Sequence, residues 1–73
     1  MILEVYKFQA HFTAGLMKGM ISEQTMTFVG EAEAIDFVYR VNENNRKGEC
    51  PYWISDLSFV EERTVERHYG VIA

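Results

Sequence analysis

The fold turns on residues 25–42, TMTFVGEAEAIDFVYRVN, which begin with a two-residue rhythm and end with a rhythm of three and four. Up to Val29 the pattern is extended, with Met26 and Phe28 on one face. Beyond Gly30, Ala34, Phe37, Val38 and Val41 fall at spacings of three, four and seven, which gathers them on one stripe of a helix. Gly30 is therefore the join. Glu31, Glu33 and Asp36 crowd the first half and Arg40 stands near the end, so the charges complement the helix dipole, and Asp36 reaches Arg40 one turn on. The run NENNRKGECP, residues 42–51, has four poor helix formers, a glycine and a proline; it predicts the end of the helix and a solvated loop.

Upstream, residues 2–13 put Tyr6, Phe8, Ala10 and Phe12 on one side and Lys7, Gln9, His11 and Thr13 on the other, the period of a half-buried strand. AGLMKG, residues 14–19, interrupts the alternation with two glycines before MISEQTMTFV resumes it, so the two strands form a long β-hairpin. Downstream, YWISDLSFVEE alternates with Trp53, Leu57 and Phe59 on one face and Ile54, Asp56, Ser58 and Val60 on the other, a third strand. In the tail RTVERHYGVIA, residues 63–73, Val65, Arg67, Tyr69 and Val71 alternate like a fourth, edge strand. A helix competes there, because Ser58 with Glu61 mimics a capping box and Gly70 would close it.

The expected architecture is one α+β domain over residues 1–73, ββαβ with that fourth strand as an option: an antiparallel sheet with one helix packed on one face. Tyr6, Phe8, Phe12, Phe28, Trp53 and Phe59 should lie under the helix. Leu3, Val5, Ile21, Val29, Ile54 and Val60, interspersed with Lys7, Gln9, Glu23, Thr25, Thr27 and Asp56, should line the opposite, mixed face. Such a face is either solvated or buried against a second copy or another protein.

Composition agrees with a folded domain. A chain of 73 residues buries only about 60 to 65% of its unfolded surface, and its aromatic content of 14% supplies the large side chains that a small core needs. The net charge of −4 repels phosphate and anionic lipid. One cysteine forms no internal disulfide, which points to a reducing compartment, the cytoplasm. MILEVYKFQA sets Glu4 and Lys7 inside what would have to be an apolar signal region, so neither a signal peptide nor a membrane span is expected.

Candidate chemistry is sparse. Cys50 as nucleophile would need His11 or His68 to converge on it, and nothing in their spacing brings them together. His11, Cys50 and His68, or Glu61, Glu62 and Glu66, lack the spacing of a metal site, and a solvated charge run accounts for the acids. Gly15, Gly19 and Gly30 make no phosphate loop, and Glu31 and Glu33 would repel an anion at the helix start. No catalytic residue, cofactor or metal is expected. Arg46 and Lys47, with Tyr52 and Trp53 nearby, offer an alternative: a loop that stacks on and clamps single-stranded nucleic acid, disfavoured because no basic stripe accompanies it.

The hairpin tip is the feature that asks for a function. Leu16, Met17, Lys18 and Met20 form a glycine-flanked turn that a mere connector would make polar. Either the tip folds back to close the core, or its pliable methionines meet a partner. Exposed sheet edges offer a second route, by strand addition from another protein or a second copy. In size, charge and ββαβ pattern the chain resembles the small acidic accessory proteins of bacteriophages and mobile elements. That resemblance implies a non-enzymatic module that binds and modulates a host protein.

Overall fold

The structure is a computed structural model that describes residues 1–64. Strand β1 (Ile2–Phe12), strand β2 (Ile21–Phe28), helix α1 (Glu31–Arg46) and strand β3 (Tyr52–Thr64) follow in that order. The strands form one antiparallel sheet in the order β2-β1-β3, with the helix on one face, so the α+β, ββαβ architecture stands as expected. The fourth element expected in the tail lies outside the described residues, except that Arg63 and Thr64 complete β3.

The long strands make the molecule elongated, 47 × 26 × 19 Å. Its Cα radius of gyration is 15.3 Å, against about 11 Å for a compact domain of this length. One 16-residue helix cannot cover a sheet with strands of 11 and 13 residues. It lies nearer to β3 than to β2, and much of the helix side of β2 is left bare.

Gly30, extended at φ −174°, is the N-cap, where the period changes. The stripe faces the sheet as the spacing requires: Ala34 and Val41 are buried, Phe37 and Val38 half-buried. Tyr6, Phe28 and Ala34 form one core cluster and Phe8, Val41 and Ile54 a second; Phe37 packs against both, with its ring centroid 6.0 Å from Phe8 and 5.4 Å from Phe28. Asp36 and Arg40 pair at 2.9 Å on the exposed side.

Two expectations are corrected. The helix does not stop at residue 42 but runs through Asn42, Asn44 and Asn45 to Arg46, because two of those asparagines have tertiary partners. Asn42 bonds the backbone of Ile54, and Asn45 donates to Thr13 Oγ1 at 2.8 Å and to the Cys50 carbonyl at 3.0 Å. The loop is thus shorter than NENNRKGECP suggests.

Trp53 and Ile54 also exchange faces. Ile54, paired with Ala10, is in the core, and Trp53, paired with His11, lies on the opposite face with its ring stacked on the histidine at 4.0 Å. The cause is a bulge. Lys7 pairs with Ser58 and Gln9 with Ser55, so Asp56 and Leu57 together stand opposite Phe8. Asp56 takes φ +58°, the left-handed region that Asp tolerates better than most side chains. The inserted residue inverts the alternation, which is why Tyr52 and Ile54 share the helix side with Leu57 and Phe59. Val60 is a second extra residue, between the Val5–Glu61 and Tyr6–Phe59 pairs.

Candidate functional site: the hairpin tip and the uncovered side of the sheet

The tip projects and does not fold back. Leu16 is fully exposed, Met20 is 54% exposed and Met17 40%. The turn is nevertheless fixed by its own backbone: Lys18 N–H donates to Gly15 C=O at 3.2 Å, Met20 N–H to Met17 C=O at 2.9 Å and Gly19 N–H to Phe12 C=O at 2.9 Å. Gly15 at φ +78° and Gly19 at φ +88° supply the left-handed positions that these closures require. At its base Thr13 N–H donates to the Pro51 carbonyl at 2.8 Å, and Asn45 holds the Thr13 hydroxyl, so the C-terminal end of the helix buttresses the hairpin.

From the tip, exposed apolar side chains continue along β2 through Ile21 and Met26. An open groove of about 390 Å³ lies on the helix side, with Phe8, Ala10 and Phe12 of β1, Met26 of β2, Phe37 and Tyr52 in its walls. It marks where the helix leaves the sheet uncovered.

The nucleic-acid constellation is divided. Tyr52 turns to the helix side, 5.4 Å from the Phe12 ring, and Trp53 to the other. Arg46 shares a second groove with Trp53 and Tyr39, but both its contacts to Glu43 carboxylate oxygens are made within the helix. That guanidinium holds the Glu43 carboxyl below the usual carboxylate range.

Cys50 packs beside the Phe8, Val41 and Ile54 cluster, and His11 instead meets Ser55, at 2.6 Å from Nε2 to Oγ. This Ser–His contact escapes sequence reasoning because the bulge that sets the register of β3 has no clear signature in the letters. Ser55 Oγ also lies 3.0 Å from Asp56 Oδ2, so the hydroxyl stands between the imidazole and a carboxylate, and the imidazole tautomer decides which group donates in the shorter bond. Among the described residues no group of three or more His, Cys, Asp or Glu side chains is placed to hold a metal, and no helix is long and apolar enough to cross a membrane.

No protein-family model, curated protein or solved structure matches the chain.

Proposed function

We propose that the chain is a small, non-enzymatic protein-interaction module of the cytoplasm, which binds and modulates another protein through its hairpin tip in the manner of phage and mobile-element accessory proteins. The observation that carries this reading is the fixed turn with Leu16 wholly in solvent. An apolar side chain held out by a hydrogen-bonded loop contributes nothing to the core, yet it has already lost the loop entropy that binding would otherwise cost. Met17 and Met20 flank it with polarizable, adaptable surface, and Lys18 adds a charge at the rim. The net charge of −4 favours a basic partner surface and faster encounter at low salt. A lone cysteine suits a reducing compartment.

The test is affinity capture from the native host with mass spectrometry, run in parallel with the wild-type chain and a Leu16→Ser, Met17→Ser variant. The variant should melt at the wild-type temperature and lose the captured protein. Undiminished capture by a folded variant would remove the tip from the interaction.

A further inference from the structure

The two edges of the sheet are finished differently. β3 is blunted along its length: Asn42 occupies the outward N–H and C=O of Ile54, two bulges break its regularity, and Asp56, Glu61, Glu62 and Arg63 charge it. These are the ordinary defences of an edge strand. β2 has none of them. ISEQTMTF contains no proline, no lysine and no bulge, its one charge is Glu23, and its eight residues keep an unbroken register with β1. Among the described residues no strand pairs with its outer side.

The polarity of that outer side follows from the ladder. Phe12 N–H donates to Met20 C=O, so the even-numbered residues of β2 bond inward to β1. The N–H and C=O groups of Ile21, Glu23, Thr25 and Thr27 therefore point outward. Their midpoint is Gln24. We propose that a second copy of the chain adds across β2, antiparallel and centred on Gln24, joining two three-stranded sheets into one. This deepens the interaction reading above and rests on it.

Self-complementarity is what selects a second copy over a foreign strand. Only the register centred on Gln24 pairs all four outward residues within the strand, Ile21 with Thr27 and Glu23 with Thr25 of the second copy. A centre at Glu23 would oppose two carboxylates, and a centre at Thr25 would match Ile21 with Val29, beyond the strand end. The charges also fit. Lys7 makes no ion pair among the described residues and is paired with Thr25, so Glu23 of the second copy falls in its row, two strand spacings or about 10 Å away, within reach of two long side chains.

The register is tested by cross-linking in a Cys50→Ser background. In it, the Gln24→Cys thiols of the two copies face each other at a non-hydrogen-bonded pair, about 4.5 Å between Cα atoms, a separation a disulfide spans. Mild oxidation should give a covalent dimer. Ser22→Cys should not, because the two positions lie about 13 Å apart in this register. Thr25→Pro removes an outward N–H and leaves the bonds to β1 intact, so the wild type should sediment at twice its 8.5 kDa and this variant, still folded by circular dichroism, at once. A monomeric wild type, or cross-linking at position 22 as fast as at 24, overturns the proposal. A monomer that still needs Leu16 and Met17 for capture sinks self-pairing alone; a dimer with capture indifferent to them upholds self-pairing and sinks the tip. A monomer that loses its bound partner on Thr25→Pro gives the edge to a foreign strand and overturns the second copy.

Discussion

Asn42 closes a two-point clasp on Ile54: its Nδ2 donates to the Ile54 carbonyl at 3.1 Å and its Oδ1 accepts from the Ile54 N–H at 2.7 Å. A helix side chain thereby stands in for the neighbouring strand that β3 lacks at this point. The same clasp sets the height of the helix over the second core cluster, where Val41 and Ile54 meet Phe8.

Asn42→Ala should destabilise the protein by about 1 to 3 kcal/mol, since both backbone groups lose their partner in a part-buried place. In a domain of this size that lowers the melting temperature by roughly 4 to 8 °C per kcal/mol. Hydrogen exchange gives the sharper reading, because the Ile54 amide should lose protection beyond the global loss. An Ile54 amide as protected as before would mean that the clasp is incidental.

Asp56 sets the parity of β3, and its left-handed backbone is the costly part of that device. Asp56→Gly should be neutral or stabilising by up to about 1 kcal/mol, offset by the lost Ser55 bond. Asp56→Val should cost about 1 to 2 kcal/mol, because a β-branched side chain resists that region. Chemical denaturation of the pair checks the order, and equal midpoints would argue against strain at this position.

The contrast between Asp56 and Gly30 shows what the letters carried. At Gly30 one period gives way to another, and several residues on each side report the change, so the hairpin, the helix start and the stripe from Ala34 to Val41 were legible. At Asp56 one inserted residue changes the phase and not the period. Trp53 and Ile54 are both apolar, so alternation counted back from Leu57 and Phe59 assigned each to the wrong face. Asn42 and Asn45 mislead in another way: intrinsically poor helix formers, they are held helical by bonds to Ile54, Cys50 and Thr13, partners outside the helix. The apolar tip could be read as a candidate from composition alone. The bare edge of β2 could not, because it depends on strand order and on which edge the helix guards.

Phe37 touches both core clusters, so its truncation should loosen the whole domain and not one end. Phe37→Ala should cost about 3 kcal/mol, the lower part of the range for buried phenylalanine, since Phe37 is only half-buried. With so few buried residues that is a large share of the total stability. Urea unfolding measures it, and a cost under about 1 kcal/mol would contradict the bridging position.

Tyr6 gives the protein an alkaline limit. Its phenol donates to Glu4 Oε1 at 2.7 Å, and that bond, followed by burial and by the charges of Glu4 and Glu31, pushes its pKa up to about 12. In the unfolded chain the same phenol ionises near pH 10. The folded form therefore keeps a proton that the unfolded form has shed, so the contribution is whole below pH 10 and declines as pH rises towards 12. A tyrosinate step should develop well above pH 10, towards 12, and Tyr6→Phe should delete that step. Glu4→Gln should bring it to lower pH by removing the carboxylate, and the melting temperature of Tyr6→Phe should fall less steeply than that of the wild type between pH 10 and 12. A Tyr6 phenol that ionises near pH 10 would show that the Tyr6–Glu4 bond does not hold the proton.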